Sequence, residues 1–284
     1  MLELTVLASG SQGNASVVNV GGRLVMIDAG LSPKATKERM YTAIRRTPDE
    51  VTDLLLTHLD ADHWRETWRK PILRTGMRVR VHERHVREAI RCGVPEASIV
   101  AFDEWSDLGD GVRLFACALP HDERGSTAYL LERACADGVT RLGYATDLGR
   151  VPPTLFEHFA DIDLLAIESN YDEDLERVSE RPWFLKERVM GGKGHLSNDE
   201  SVAAALRICE SGTPQSIVLL HLSRQCNRPD IVSALWRDRA AHLCDRLVIS
   251  DQFRPSPTIT ARPSRRPPRP AGVPASLFDV VGES

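Results

Sequence analysis

The chain has 284 residues, of which 42% are hydrophobic and 27% are charged, and its formal net charge is -4. These values are typical of a folded globular protein, and they exclude a collagen-like or globally disordered chain. Because no apolar run reaches the length of a bilayer span and no basic segment precedes the short apolar run at the N-terminus, we expect a cytoplasmic protein without a membrane partner.

The predicted elements start with three short strands at residues 2–7, 15–20 and 23–28, and Gly21-Gly22 between the last two is a typical hairpin turn. Downstream, strands alternate with stretches in which apolar residues have helical spacing. We predict further strands at 53–56, 77–81, 112–118, 127–131, 141–145, 163–167, 216–220 and 246–249, and helices at 33–44, 83–92, 198–210 and 229–242. Many short strands with interspersed helices predict one α/β domain over residues 1–253, built from two packed sheets flanked by helices.

The composition changes at Arg254, and residues 254–284 contain seven prolines and five arginines. Such a segment cannot bury enough apolar surface to fold by itself, so we predict that residues 254–284 form a flexible extension. Its PASLFD sequence is similar to the short Leu-Phe motif with which bacterial DNA-processing proteins dock on the sliding clamp. That similarity suggests a clamp contact through Ser276, Leu277 and Phe278, and the alternative is a chance match in an uninvolved tail.

The strongest local signal is LLLTHLDADHW at residues 54–64, where an apolar strand leads directly into two histidines and two aspartates. Imidazole and carboxylate groups bind zinc, iron or manganese, and a turn at a strand end can direct several such side chains to one point. We therefore identify four candidate metal ligands, His58, Asp60, Asp62 and His63. The alternative is a polar turn in which Asp62 caps a helix and the histidines lie at the surface.

Three later residues repeat this arrangement, because each follows an apolar, strand-like run. His121 follows VRLFACALP, Asp147 follows RLGYAT, and His221 follows SIVLL. Each of them alone would more often be an ordinary loop residue. Together they predict a dinuclear site at one edge of a sheet pair, in which the Asp147 carboxylate bridges two cations.

The segment His-x-Asp-x-Asp-His resembles the His-x-His-x-Asp-His signature of the metallo-β-lactamase superfamily, and the three later ligands fall where its further motifs belong. Several segments are also similar to the WalJ (YycJ) branch of that superfamily, whose members are regarded as exonuclease-like metallohydrolases. These segments are LASGSQGNASVV, MIDAGLSPK, LPHDERGSTAYLL, ATDLG, IESNYD, LKERVMGGKGHLSN and LLHLSRQCNRP, in the expected order over residues 1–250. The resemblance implies a four-layer αββα sandwich and a metal-dependent phosphodiester hydrolase.

Asp60 departs from the superfamily signature, which usually has a histidine at this position. A carboxylate makes the first metal position harder and richer in oxygen, so we expect two divalent cations, with manganese or iron favoured over zinc. The alternative is a weakened first position and a protein that works with one metal.

The implied reaction is hydrolysis by a metal-activated water that attacks phosphorus, with protonation of the leaving oxygen. Asp62 is expected to be essential for turnover. His195 in GGKGHLSN is the candidate general acid. In similar phosphodiesterases of the superfamily, a histidine in an equivalent motif has this role. The alternative for His195 is a cap on the helix that begins near Asn198. Asp28 is expected to support the metal site from behind.

Substrate contacts are assigned to two groups of polar residues. The SGSQGN loop would present Ser9, Ser11 and Asn14 to a phosphate, and a simple connecting turn is an equally good interpretation. Asn170 and Asn227 lie in ESNYD and RQCNRP, where they contact substrate or shape a loop.

Three functions are consistent with these observations. The first is an exonuclease that uses a dinuclear site to act on DNA or RNA. The second is a phosphodiesterase for small cyclic or modified nucleotides. An acidic chain suits such a small substrate better than it suits a polyanionic nucleic acid. The third is a non-catalytic module with a degenerate metal site.

Overall fold

A computed structural model describes residues 1–270, which form two seven-stranded sheets and eight α-helices. The strands of the first sheet are β1 (Leu2–Ala8), β2 (Ala15–Val20), β3 (Arg23–Ile27), β4 (Val51–Leu56), β5 (Arg78–His82), β6 (Ile99–Phe102) and β14 (Ile259–Ala261). Those of the second sheet are β7 (Trp105–Gly109), β8 (Val112–Leu119), β9 (Ser126–Cys135), β10 (Gly138–Ala145), β11 (Leu164–Glu168), β12 (Ser216–Leu220) and β13 (Leu247–Ile249). The helices are α1 (Pro33–Ile44), α2 (Arg69–Thr75), α3 (Val86–Arg91), α4 (Pro153–His158), α5 (Glu173–Val178), α6 (Trp183–Met190), α7 (Asn198–Cys209) and α8 (Pro229–Arg239).

The two sheets pack face to face, and helices cover their outer faces. The central apolar layer contains buried residues of both sheets, such as Leu4 of β1 and Leu142 of β10. Further apolar layers join the first sheet to α1, α2 and α3 and the second sheet to α4, α7 and α8. Because both faces of each sheet are covered, the central strands have apolar residues at successive positions. The structure therefore confirms the predicted four-layer αββα sandwich.

The strand order brings the carboxyl ends of the parallel strands to one edge of the sandwich. The first sheet has the order β14-β1-β2-β3-β4-β5-β6 and is parallel from β3 to β6. The second sheet has the order β13-β12-β11-β10-β9-β8-β7 and is parallel from β10 to β13. In open parallel sheets, ligands bind beyond the carboxyl ends of the strands. The loops after β3, β4, β10, β11 and β12 are therefore the place to look for a site.

All eleven predicted strands and all four predicted helices have counterparts in the structure, with ends that shift by up to three or four residues. The predicted helix at 83–92 divides into a 3₁₀ turn at 83–85 and α3. The sequence does not predict β6, β7 and β14, or α2, α4, α5 and α6, because elements of three to eight residues are too short to show a clear hydrophobic period. No helix in this part of the chain is long and apolar enough to cross a bilayer.

The prediction of a flexible extension from residue 254 is wrong for residues 254–270. Strand β14 pairs antiparallel with β1, and Ser264 exchanges two backbone hydrogen bonds with Val139 of β10, so the segment contacts both sheets. We call residues 259–269 the C-terminal strap. The candidate clamp motif lies outside the described residues, with its Ser276, Leu277 and Phe278.

Two buried carboxylates of the second sheet and its loops hold the strap in place. Arg266 forms an ion pair with Asp163, and the backbone N–H of Arg269 donates a hydrogen bond of 3.0 Å to Glu132. Both acids are buried in the protein body. Charge-assisted hydrogen bonds of this kind stabilise an arginine-rich segment that has little apolar surface of its own.

Candidate metal centre

The turn after β4 directs four polar side chains to the carboxyl edge of the first sheet. The N–H of His63 donates to the Asp60 carbonyl at 2.8 Å, which closes the turn, and the N–H of Ala29 donates to the His63 carbonyl at 2.7 Å. Gly30 lies against the same turn, where any side chain would collide with the Asp62 carbonyl. The turn is therefore fixed by the loop after β3, and it presents His58, Asp60, Asp62 and His63.

The second sheet contributes one candidate ligand from each of three separate strand ends. His121 follows β8, Asp147 follows β10 and His221 follows β12. Asp147 has a φ of 54° and His221 has a φ of 56°, which lie in the left-handed region that non-glycine residues seldom adopt. Asp28, after β3, has a φ of 61°. Backbone strain of this kind concentrates at functional sites, where the surrounding structure enforces it.

These seven side chains form two clusters that meet at Asp147. In the first cluster, the ligand atoms of His58, Asp60 and His121 lie within 4.8 Å of one another, and the same holds in the second cluster for Asp62, His63 and His221. Asp147 groups with His58 and His63 by the same criterion, and its Oδ2 lies 3.0 Å from His63 Nε2. Each cluster therefore has three candidate ligands of its own and shares a carboxylate with the other, as a dinuclear site would require.

The state of the imidazoles in the first cluster fits a bound cation. His58 Nε2 is buried and has no hydrogen-bond partner, and burial together with the nearby His63 lowers the pKa of His58 well below its usual value. His121 Nδ1 donates to the Gly194 carbonyl at 2.8 Å, so Nε2 is the ring nitrogen that is left for a metal. Neutral imidazole with a free ring nitrogen is the form that ligates a metal. The residues present therefore suit divalent cations.

Asp28 supports the second cluster from behind, at the position expected from the sequence. Its Oδ2 lies 2.8 Å from His63 Nδ1, and its Oδ1 accepts the Thr57 N–H at 2.9 Å. Burial alone would lower the pKa of His63, but the carboxylates of Asp147 and Asp28 outweigh burial and raise it well above its usual value. A carboxylate behind a ligating histidine fixes the ring orientation and increases its basicity.

Glu168, at the end of β11, has the corresponding position behind His195 and His221, and it is not among the residues predicted from the sequence. Its buried Oε1 lies 2.7 Å from His195 Nδ1 and 3.2 Å from His221 Nδ1. Burial raises the pKa of Glu168, but the neighbouring His195 and His221 together outweigh burial, and the net shift is downward. A sequence signal existed, because an acid that ends the otherwise apolar strand LLAIE needs a partner in the folded state.

His195 lines the cavity in front of the clusters and is held by Glu168. The cavity has a volume of about 200 Å³, and the His195 side chain is 21% exposed, whereas the His221 side chain is 2% exposed. The alternative interpretation as a helix cap is wrong, because Ser197 caps α7 and forms a capping box with Glu200.

Four of the five predicted substrate contacts lie behind the site instead of in the cavity. Ser9, Asn14, Asn170 and Asn227 are buried. The Ser9 hydroxyl accepts the His221 N–H at 2.7 Å, and Asn14 Nδ2 lies 2.9 Å from His63 Nε2. Asn170 Nδ2 donates to the His221 carbonyl at 2.7 Å, and Asn227 Nδ2 donates to the Asn170 carbonyl at 2.9 Å. We therefore reassign these four residues from substrate contact to the positioning of candidate ligands and loops. Of the five, Ser11 alone lines the cavity.

The fold and the clustered ligands define a class of protein, the metal-dependent hydrolases of the metallo-β-lactamase fold. The sequence profile of the family described as "Beta-lactamase superfamily domain" matches residues 23–222, and the chain belongs to this family.

Particular relatives narrow the comparison. The chain is 25% identical to "Exodeoxyribonuclease YycJ" of Bacillus anthracis, over 90% of this chain and 97% of that one. It is 27% identical to "Exodeoxyribonuclease WalJ" of Streptococcus pneumoniae, over 78% and 82% of the two chains. Among solved structures, Zn(2+)-bound PqqB from Methylobacterium extorquens has a TM-score of 0.64 at 14% identity, covering 89% of this chain and 99% of that one. A diphosphatase from the PhnP family has a TM-score of 0.57 at 17% identity, covering 92% and 99%.

Proposed function

We propose that this protein is a metal-dependent phosphodiester hydrolase that shortens DNA from an end. The observation that carries the proposal is the pair of ligand clusters that share Asp147, next to His195 in an open cavity. The similarity to relatives named exodeoxyribonuclease, which extends over most of the chain, supports DNA as the substrate.

Each cluster would hold one divalent cation. The first cation would be held by His58, Asp60 and His121, and the second cation by Asp62, His63 and His221. Asp147 would contribute to both positions. Such cations, when bound, activate water for attack and neutralise the negative charge that develops on a phosphate. The Asp60 oxygen makes the first position harder, which favours manganese or iron over zinc there. A non-catalytic module is disfavoured, because both clusters have a full set of ligand atoms close together.

His195 would supply the proton that the leaving oxygen needs. Its Nδ1 is hydrogen-bonded to Glu168, so the other ring nitrogen, Nε2, is free to donate a proton in the cavity. Burial lowers the pKa of His195, but the carboxylates of Glu168 and Asp147 together outweigh burial and raise it, which stabilises the protonated ring. Glu168 is thus a positioning residue, and His195 is the candidate general acid.

The test of this role compares two leaving groups in His195→Ala. An oligonucleotide leaves as a basic alkoxide, whereas bis(p-nitrophenyl) phosphate loses a weakly basic phenolate that needs no proton. We expect kcat on the oligonucleotide to fall about 100-fold or more and kcat on the small diester to fall far less. Equal losses on both substrates would exclude His195 as the acid. Absence of any cleavage by the wild-type protein with manganese, iron or zinc would contradict the hydrolase proposal itself.

A small nucleotide phosphodiester is the second candidate substrate, because several carboxylates line the adjoining cavity. These are Glu88, Asp122, Glu123 and Glu187. They would repel a polyanion more strongly than a single nucleotide. End-labelled DNA, RNA and cyclic mononucleotides assayed side by side with manganese distinguish the candidates. Stepwise shortening of DNA supports an exonuclease, and cleavage of cyclic mononucleotides alone supports the second candidate.

A further inference from the structure

The start of β9 lies between the two halves of the candidate metal centre. Strand β9 belongs to the second sheet and pairs with β8 along its length, but its ladder with β10 ends at Tyr129. The polar groups of the residues from Gly125 to Tyr129 contact other segments of the chain. We call residues 125–129 the β9 anchor.

The β9 anchor holds the first sheet just before His58. The Thr127 N–H donates to the Thr57 carbonyl at 3.0 Å. The buried Tyr129 hydroxyl donates to the Leu56 carbonyl at 2.5 Å. Leu56 ends β4, and Thr57 directly precedes His58. Because both hydrogen bonds run from one sheet to the other, they fix the position of His58 relative to the second sheet.

The same segment holds two loops of the second sheet that carry candidate ligands. The Gly125 N–H donates to the His121 carbonyl at 2.5 Å, which closes the loop after β8. The buried Ser126 hydroxyl donates to the Asp147 carbonyl at 2.7 Å, and the Ser126 carbonyl accepts a hydrogen bond from the Arg84 guanidinium. The left-handed backbone of Asp147 persists only where the surrounding structure enforces it. The Ser126 hydroxyl is one of the groups that enforce it.

Three segments with candidate ligands, those of His58, His121 and Asp147, are therefore joined at the β9 anchor. In contrast, the histidines of the second cluster are supported by the carboxylates of Asp28 and Glu168. Hydrogen-bonding groups behind a metal ligand orient it and contribute to metal affinity. The β9 anchor has the corresponding position behind the first cluster and its shared carboxylate.

We propose that Ser126 and Tyr129 are positioning residues that set the separation of the two candidate cation positions, Ser126 through Asp147 and Tyr129 through the strand end before His58. This inference rests on the two-cation arrangement of the proposed function. Two-metal hydrolases hold their ions about 3.5–4 Å apart, and a misplacement of about 1 Å in a catalytic site costs about 100-fold in rate. Loss of either hydroxyl leaves a buried carbonyl without its donor, so the backbone that carries a candidate ligand should shift.

The fold offers a matched control for removal of these two hydroxyls. Ser16 Oγ and the Tyr144 hydroxyl oxygen lie 3.2 Å apart, and they join β2 of the first sheet to β10 of the second. All four side chains belong to residues that are at most 2% exposed. Ser126→Ala/Tyr129→Phe and Ser16→Ala/Tyr144→Phe each remove one serine and one tyrosine hydroxyl. The control hydroxyls bond to each other, whereas those of the β9 anchor bond to the backbone at Asp147 and before His58.

Electron paramagnetic resonance of the full chain loaded with manganese(II) measures the arrangement of the cations without turnover. Two manganese ions that share a carboxylate are exchange-coupled, and the coupling depends on the bridging geometry. We expect the wild-type protein and the control variant to give the same coupled spectrum with two equivalents of manganese. Ser126→Ala/Tyr129→Phe should change that spectrum, and isothermal titration should show that one manganese ion binds about 10-fold to 100-fold more weakly.

Tyr129→Phe alone removes one oxygen and leaves the ring in place, so it carries the test if the double variant does not fold. It should show a smaller change in the spectrum and in the affinity. Two results would overturn the inference. One is a spectrum and two manganese affinities that remain those of the wild-type protein in the anchor variants. The other is an equal change in the anchor and control variants, which would show that loss of any buried hydroxyl pair loosens the sandwich.

Turnover separates this inference from the proposed function. In Ser126→Ala/Tyr129→Phe, kcat should fall about 10-fold to 100-fold with KM unchanged, and equally for the oligonucleotide and bis(p-nitrophenyl) phosphate, because both reactions use the same cations. An unchanged spectrum in this variant, together with cleavage by the wild-type protein, contradicts the anchor and leaves the hydrolase intact. A changed spectrum, without cleavage of either substrate by the wild-type protein, contradicts the hydrolase and leaves the anchor intact.

Discussion

The two sheets contribute ligands to the clusters in different ways. The first sheet provides four candidate ligands from one six-residue turn, His58 to His63, whereas the second sheet provides three candidate ligands from separate strand ends. The turn is closed by a local hydrogen bond from the His63 N–H to the Asp60 carbonyl and is held in place by the loop after β3. The separate ligands depend on the order of the parallel strands and on left-handed backbone at Asp147 and His221. The half of the site on the first sheet is therefore a local sequence motif, whereas the half on the second sheet is assembled by the order of its strands.

Asp147 is the residue at which the two halves join, so its loss should have the largest effect. We expect Asp147→Ala to release both cations and to lower kcat/KM by about 1000-fold or more, because both clusters lose a ligand. Metal analysis by mass spectrometry and phosphodiester kinetics measure the two effects. Asp122→Asn changes a carboxylate of the same cavity that belongs to neither cluster, and it should retain both metals. Two tightly bound metals in Asp147→Ala would show that the clusters are independent.

The carboxylates behind the ligands provide a matched pair, one for each half of the site. Asp28→Asn and Glu168→Gln should each weaken metal binding about 10-fold to 100-fold, as removal of such supporting groups commonly does. Glu168→Gln should also lower cleavage of the oligonucleotide more than cleavage of bis(p-nitrophenyl) phosphate, because Glu168 holds His195. Asp28→Asn should affect both substrates equally. If the two variants had the same leaving-group dependence, Glu168 would have only a structural role.

Asp60 should show the smallest effect of the cluster residues, because its side chain is 53% exposed and is held least firmly. We expect Asp60→Ala to weaken one metal equivalent about 10-fold and to leave the second in place. Asp60→His should restore the lost affinity with zinc in preference to manganese. Isothermal titration of the metal-free protein with each cation measures both variants. An unchanged first site in Asp60→Ala would remove Asp60 from the ligand set.

The fold was predictable because its central strands are bounded by turns and its long helices have clear apolar spacing. The candidate ligands were predictable for a related reason, since each follows an apolar strand directly, as His221 follows SIVLL. Parallel strands bring such ends to one edge, so the position after a strand carries spatial information. The structure accordingly brings all seven side chains together.

The remaining features depend on contacts between residues far apart in the chain. Asn14 and Asn170 have the polar character of substrate contacts, and only the packed structure shows that their amides face His63 and the His221 carbonyl. Glu168 belongs to a buried strand, and its role becomes visible only when β11 and the loop carrying His195 are adjacent. The strap has an unfavourable composition for folding, and its partners, Asp163 and Glu132, lie more than a hundred residues earlier.

The strap has a consequence for the order in which the chain matures during synthesis. Leu2 pairs with Ala261, so β1 leaves the ribosome long before the strand that covers its outer edge, β14. Until then, the seven-residue edge of β1 is open to strands of other chains, whereas the finished sheet ends in the three-residue β14. Short edge strands limit pairing between molecules, and long apolar edges promote it. A chain shortened at residue 253 would keep its clusters and would aggregate through β1.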